Sequence, residues 1–590
     1  MSVNIDISQW TPEYFNDNES ECLNHLLQDA VWNTIPLVNI QNSHYFQDMR
    51  LVRFRGMIQD MHDPEFYFEK IEISKVGTDE TCMRNGKYVD VIQSQENESI
   101  LTDSSKNVTK ERSTYVVISI PGLNPWAEAL ENQNSTKEIS KGDFASKSVK
   151  RTLEVEEMME VDPSTSTKRV EDKAKKLCSP ESNKPKNDSN EIPQDILLNY
   201  PIPKRAGKTC LLKIYNDSET LKLNEMIEFV GFLSTHPMLS EFDKNEFEND
   251  MEVQVHHPPA SLIPRIHCVS WKKLQHSNPM LHDSVIGFDD KNMYEAKKEL
   301  LLVLTSLLLG DELAAEYLIC HLISKIYMRA DLLALGKFSL NISNVPIKRR
   351  PEYVKELYSI LELFLPKSHY LEMSISNINE AKLIPKKNYD YNRLNSGLLQ
   401  LSPNTHLVVD ETLLTTGQLN STGVHNVRAL SNVIRNQKTE YDFVYYQMEY
   451  ECDIPILILS EEKSLLPSDF QIPLQPADDQ IEIFPETVDA IKKYLKPEIL
   501  NKIRIYLTNA RHNSDKYELP QGAQEVIEEE FIQMRKAKKA SADDLHNLLV
   551  LARLKCLSDG KTRFDDECWK EVCQMENIRK ERIEALKNTN

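Results

Sequence analysis

Short apolar runs separated by helical stretches restrict the fold of this chain more than any other feature. The runs are Phe338–Ile342, Tyr370–Ile375, Leu407–Val409, Ile454–Leu459 and Phe470–Leu474. Runs of this kind read as strands buried on both faces, and with helices between them they form a parallel sheet covered on both sides. This places an α/β domain at residues 285–480. At its start, Lys297–Leu309 reads as an apolar helix broken by Gly310-Asp311, with Asp311 as N-cap of a second, deeply buried helix. His321 lies in that second helix and reads as structural rather than as a ligand. After Pro476 the pattern is helical over about 486–511, 523–537, 541–557 and 565–586, which defines a helical domain at 485–590. Ser541-Ala542-Asp543-Asp544 starts the third of these helices, and Leu545, Leu548, Leu549 and Ala552 form its inner face.

The N-terminal half has a different period. Residues 1–49 form a helical element, with one apolar-faced helix over Asn18–Asn33. Leu51–Ile58, Phe66–Phe68, Tyr115–Ile120, Cys210–Tyr215 and Met226–Leu233 read as strands, and Met251–Val255 and Ile266–Val269 could add more. They fall in two blocks, 50–126 and 204–275, which suggests one small antiparallel barrel split in sequence. An OB-like barrel fits the strand count. Between the blocks, 127–203 is rich in Ser, Lys, Glu, Asp and Asn and has too few apolar residues to offset the entropy of ordering. It is expected to be a disordered polyampholyte linker. Its Lys168-Arg169 and Lys173, Lys175 and Lys176, or Lys204-Arg205 after it, are candidate nuclear import signals, with a solvated linker as the plain alternative.

Composition excludes several function classes. With 590 residues the chain is expected to hold three or four units. Its net charge of −21 opposes general binding to nucleic acid phosphates. The ten cysteines are scattered without a CxxC, which fits reduced thiols in a nuclear or cytosolic protein. The N-terminus has no signal-peptide pattern, and the longest apolar stretch, Leu300–Leu309, is far short of the roughly 20 residues a membrane span needs. A soluble intracellular protein is expected.

One strand carries a possible reaction centre. Leu407-Val408-Val409 ends in Asp410-Glu411, the outline of a Walker B strand, in which one carboxylate holds Mg²⁺ and the other orients water. Such a strand needs a glycine-rich phosphate loop after the first strand. Here Ile342 is followed by Ser343-Asn344-Val345-Pro346-Ile347-Lys348-Arg349-Arg350-Pro351, without glycine and with two prolines that lack donors. Lys348-Arg349-Arg350 reads as a solvated basic turn. Gly207-Lys208-Thr209 lies far upstream, with Ile202 where a phosphate loop has its first glycine, and is read as coincidence. His256-His257 with Cys268 is a weak metal candidate beside Pro258-Pro259, where a turn is the simpler reading.

The residues also resemble a known family. Leu309–Leu318, Leu335–Phe338, Asn392-Arg393-Leu394, Gly397–Leu401, Val409–Leu414, Gly423–Val427, Leu262–His267 and Ser464–Pro467 are similar to the MCM-binding protein family, over nearly the whole chain except the linker. The resemblance implies a diverged relative of MCM replicative helicase subunits, with a degenerate AAA+-like core and a helical lid, the lid helix matching Asp544–Arg553. It also implies a nuclear protein that binds MCM subunits and supports their assembly or unloading in DNA replication, with a role in sister-chromatid cohesion. MCM subunits carry an arginine finger in a stretch similar to Leu465–Phe470, which has no arginine here. They also project a hairpin similar to Thr439–Cys452, which has no Lys or Arg and carries Glu440, Asp442, Glu449 and Glu451. That hairpin is expected to repel DNA phosphates.

The sequence therefore predicts a mixed fold: a split OB-like barrel, a degenerate AAA+-like parallel α/β core and a C-terminal helical lid. It predicts a non-catalytic binding partner of MCM subunits, with chromatin association indirect and no membrane. No catalytic, cofactor-binding or metal-binding residue is assigned, and no cofactor. Two alternatives stand beside this reading. One is an active AAA+ ATPase using Asp410 and Glu411. The other is a single-stranded nucleic-acid binder in which Phe54, Phe66, Tyr67 and Phe68 stack bases and Arg53 and Arg55 hold phosphate, against the simpler reading that the aromatics fill the barrel.

Overall fold

The computed structural model describes residues 7–39, 46–75, 80–92, 94–95, 97–131, 193–203, 205, 207–216, 221–235, 255–281, 290–330, 333–536 and 542–589. It is a mixed α/β structure. The strands in chain order begin with β1 (Leu51–Met61), β2 (Glu65–Lys75), β3 (Thr81–Asn85), β4 (Glu98–Leu101), β5 (Val108–Ile118), β6 (Thr209–Ile214), β7 (Met226–Ser234) and β8 (Arg265–Lys273). Next come β9 (Met328–Ala330), β10 (Leu333–Leu335), β11 (Leu340–Ser343), β12 (Ser368–Glu372), β13 (Lys386–Asn388), β14 (Arg393–Asn395) and β15 (His406–Asp410). The last are β16 (Lys438–Asp442), β17 (Gln447–Glu451), β18 (Ile456–Leu459) and β19 (Phe470–Pro473).

The eight N-terminal strands form one sheet in the order β1-β7-β8-β6-β5-β2-β3, with β4 on β2. β1 also pairs with β5, Met57 opposite Ile118, so the pairings return to β1. Gly56 makes this turn of β1 possible, because a Cβ there would lie 2.4 Å from the Ile118 carbonyl oxygen. Val52, Phe54, Ile58, Val117, Leu212, Ile227, Phe229 and Ile266 fill the interior. The N-terminal helix expected over Asn18–Asn33 is two helices, Glu19–Leu26 and Asp29–Trp32, parted at Leu27-Gln28. Together with the preceding helix Pro12–Asp17 they cover the outside of the sheet: Phe15 meets the rings of Tyr88 and Phe232, and the Trp32 indole donates to Glu228 at 2.8 Å. β3 and β4, short and half exposed, were not foreseen.

The run read as a linker, 127–203, is structured at both ends. Residues 125–131 are helical and Gln194–Leu198 is a short helix, with Leu197 and Ile202 buried. Apolar residues at those two ends find partners that composition alone does not show: Ile202 packs with Leu371, Leu398 and Leu407. Residues 132–192 lie outside the described residues, as do the expected strand residues 251–254, Cys178 and Lys168-Arg169.

The core sheet is parallel in the order β12-β15-β18-β11-β19. All five apolar runs are in it. One face packs on helices Tyr353–Phe364, Glu312–Ile323 and the C-terminal helices in a single cluster that includes Leu340, Ile342, Leu457, Tyr506, Leu551 and Trp569. The C-terminal helices thus share the core of the sheet rather than forming a body of their own. Helix Ser421–Asn436 covers the other face through Ala429, Leu430 and Val433. Asp311 caps helix Glu312–Ile323 by accepting from the Ala314 amide at 3.1 Å, as its sequence position predicts. A second small sheet, β14-β13-β16-β17, stands beside the core, and β9 and β10 form a ribbon. Among the described residues no helix is long and apolar enough to cross a membrane.

The two halves of the chain are tied by buried polar contacts. Asn224 hydrogen-bonds Tyr441 at 2.9 Å, the Leu394 amide donates to Asp60 at 3.1 Å, and Gln400 donates to the Gln59 carbonyl at 2.8 Å. Asn124 donates to the Leu365 carbonyl and to Ser368, both at 2.8 Å. The Lys367 ammonium is fully buried against Ser402 Oγ, the Pro403 carbonyl and Met226 Sδ, with no carboxylate in this set.

Candidate functional site

In a parallel α/β sheet ligands bind at the carboxyl edge of the strands. Here that edge comprises the ends of β11, β12, β15, β18 and β19, with Asp410 level with Glu372 and Leu459. Asp410 and Glu411 therefore stand where a Walker B pair would stand. Their oxygens are occupied. Asp410 Oδ1 accepts from the Thr412 amide at 3.0 Å and from its hydroxyl, capping the short 3-10 turn Glu411–Leu413. Asp410 Oδ2 accepts from the Tyr370 hydroxyl. Tyr370 reaches it because it lies two residues before Glu372, the partner of Asp410, on the neighbouring strand, and so shares its face. Burial, with the hydrogen bond to Asp410 next, holds the Tyr370 phenol protonated and well above its ordinary pKa.

Glu411 turns the other way. Its carboxylate accepts from the backbone amides of Leu465 and Leu466 at 3.3 and 3.2 Å. Burial raises its pKa, and the two amides offset part of that rise. Both acids therefore fasten loops at the sheet edge. Sequence reasoning found the acids and missed Tyr370 and Thr412. The signal was present, since Tyr370 is the polar-tipped residue in the run Tyr370–Ile375.

The loop after β11 offers no anion nest. The Asn344 amide donates to the Glu461 carbonyl and the Val345 amide to the Ser460 carbonyl, both at 3.2 Å. The Arg349 and Arg350 amides both turn back to the Pro346 carbonyl. The basic turn is paired rather than free: Lys348 with Glu461 at 2.8 Å, Arg349 with Asp478 at 2.5 Å and Arg350 with Glu356 at 3.9 Å. Just before β19, in the stretch without arginine, Asp469 pairs with Lys337 and takes the Ser339 amide at 2.9 Å.

The other candidates fall elsewhere. Gly207-Lys208-Thr209 leads into strand β6, whereas a phosphate loop leads into a helix. Lys208 donates to the Val38 carbonyl at 3.0 Å. His256 packs on His62 with ring centroids 4.3 Å apart, while the Cys268 thiol on β8 faces the Ser270 carbonyl. Among the described residues no group of three potential metal ligands is gathered. His321 bonds the Phe338 carbonyl at 2.9 Å, and burial holds its pKa at about 4, as a structural histidine requires. Of the aromatics offered for base stacking, Phe54 and Tyr67 are in the core and Phe66 is exposed. Arg53 pairs with Glu228 at 2.9 Å, and Arg55 pairs with Glu131 at 3.1 Å and Glu228 at 3.3 Å. No cation of that pair faces an open groove unaccompanied by a carboxylate.

The hairpin foreseen at Thr439–Cys452 is present as β16 and β17, Glu440 opposite Glu449. Its acids are less naked than the sequence of the segment suggests, because cations come from its flanks: Lys386 pairs with Asp442 at 3.2 Å, Lys438 with Glu449 at 3.4 Å and Arg329 with Glu451 at 3.4 Å. Beyond these pairs the tip is aromatic and exposed.

A family model described as mini-chromosome maintenance replisome factor matches residues 22–583. A mini-chromosome maintenance complex-binding protein of Drosophila melanogaster is 40% identical over 96% of this chain and 95% of its own length. Proteins of the same name are 38% identical in Homo sapiens, over 100% of this chain and 96% of theirs, and 37% identical in Danio rerio, over 96% and 93%. The chain belongs to the MCM-binding protein family.

Proposed function

We propose that this protein is a non-catalytic binding partner of MCM helicase subunits. One observation carries the reading: full-length relatives at 37–40% identity are named for binding the mini-chromosome maintenance complex. The occupied carboxylates of Asp410 and Glu411 and the self-bonded loop after β11 support the non-catalytic part. The structural reading that goes with it is a degenerate AAA+-like core, favoured by the five-stranded parallel sheet with the Asp-Glu pair at its edge. Beside it stands an OB-like barrel, favoured by the pairings that return to β1. A protein of helicase-subunit shape that neither grips phosphate nor turns over nucleotide is suited to occupy the place of a subunit.

On this reading the chain supports assembly or unloading of the MCM complex during DNA replication and, through it, sister-chromatid cohesion. It acts in the nucleus and meets chromatin through its partners. Affinity purification of the full chain from a nuclear extract tests the binding. MCM subunits are expected to co-purify, and their absence would sink the reading.

A further inference from the structure

Among the described residues, exposed large apolar side chains are scattered, and they concentrate at one place. Tyr389, Val444, Tyr445, Tyr446 and Met448 all lie at the tip of the β16–β17 hairpin or on the β13–β14 turn beside it, and Tyr445 is 83% exposed. The tip is held in shape. Asp442 accepts from the Val444 amide at 2.7 Å, the Phe443 amide donates to the Tyr446 carbonyl at 3.0 Å, and the Tyr389 hydroxyl donates to the Phe443 carbonyl at 2.9 Å. Phe443 stacks on Tyr446 with centroids 5.0 Å apart, and Tyr389 meets Tyr445 at 5.4 Å. Val444 has φ of 67°, a conformation a β-branched residue rarely adopts. Such strain persists where surrounding contacts over-determine it, and it is concentrated at functional positions. A rigid group of tyrosines outside the core is what protein interfaces use as anchors, since the ordering cost has already been met.

The charges choose the occupant. Residues 439–452 carry four carboxylates and no cation, and the Glu449 and Glu451 side chains stay 48% and 67% exposed beside their pairing cations. A nucleic-acid strand stacking on these rings would bring its phosphates against those acids. A second copy of the chain would bring another net charge of −21. We propose that this hairpin docks on a partner protein by seating Tyr445, Tyr446 and Met448 in an apolar recess edged by lysine and arginine. The inference rests on the reading that the partner is an MCM subunit, and it assigns the surface that makes the contact.

The test measures the affinity of purified MCM subunits for the full chain and for its Y445A/Y446A/M448A variant. Roughly tenfold to a hundredfold weaker binding is expected, with an unchanged melting temperature. Should the triple variant melt early, the single Tyr445→Arg variant, which puts a cation into the basic recess, is expected to show the same loss. Equal binding by wild type and variants would overturn the inference and leave the functional reading in place. Failure of the wild type to bind any MCM subunit would overturn both. Loss of oligo-dT binding or of self-association in the variants, with MCM binding intact, would likewise overturn the assignment to a protein recess.

Discussion

Tyr370 on β12 donates its hydroxyl to Asp410 on β15, and this contact turns a carboxylate in a Walker B position into a fastening between adjacent strands. The hydroxyls of Tyr370 and Thr412 and one backbone amide satisfy both oxygens of a nearly inaccessible carboxylate. Tyr370→Phe leaves Asp410 Oδ2 buried without this donor. The expected cost is about 1–3 kcal/mol, read as a lower midpoint in urea unfolding. Stability equal to wild type would mean that the contact is incidental.

Phe54 and Phe66, both on strands of the N-terminal sheet, differ sharply in burial. Phe54→Ala opens a cavity in the core of the N-terminal sheet and is expected to cost about 3–5 kcal/mol. Phe66→Ala removes an exposed ring and is expected to stay within about 0.5 kcal/mol. Thermal melts of the two variants check the contrast. Equal effects would mean that the N-terminal sheet is packed differently.

Lys367 makes stability depend on pH. Burial lowers its pKa to about 7, far below that of an exposed lysine. Between that value and the ordinary lysine range the unfolded chain binds a proton that the folded chain does not, so stability rises with pH across this window. Below about pH 7 both states are protonated and the full cost of the buried charge is present. Melting temperatures from pH 7 to pH 10 are therefore expected to climb more steeply for wild type than for Lys367→Met. Parallel profiles would contradict the burial of this ammonium.

The last helix, Asp566–Thr589, is fastened to β19 by Arg579, which donates to the Gln471 carbonyl at 2.9 Å and lies over the Phe470 ring. Glu576 orients Arg579 and accepts from Tyr317. Arg579→Ala is expected to raise amide exchange over Asp566–Thr589 well before global unfolding. Unchanged protection there would show that the apolar contacts of Trp569 and Val572 suffice.

The parallel sheet is legible in the sequence because each of its five strands contains a short apolar run, with a helix in three of the four connections and a loop, 460–469, in the fourth. Leu407–Val409 could hardly be read otherwise. Of the second sheet the β16–β17 hairpin was legible but not β13 and β14, since β13 is Lys386-Lys387-Asn388, three polar residues that become a strand only by pairing with β14 and β16. Asp410 and Glu411 were legible as a pair but not as fastenings, because their partners depend on strand register and on loops more than fifty residues away. The junction of the two halves was equally hidden: Asn224 and Tyr441 meet across 217 residues of sequence. The aromatic tip was in plain view in Phe443–Tyr446, but only burial distinguishes a tyrosine that fills a core from one that faces outward.

On the proposed function, the protein binds MCM subunits through its shape and surface, without using nucleotide. The most direct measurement is the affinity of the full chain for purified MCM subunits, taken with Mg-ATP and after nucleotide removal on the side of the chain. Binding that is equal in both conditions, and unchanged by Asp410→Asn, is the predicted result. Binding that requires ATP on this chain, or that is lost in Asp410→Asn while the variant remains folded, would contradict it.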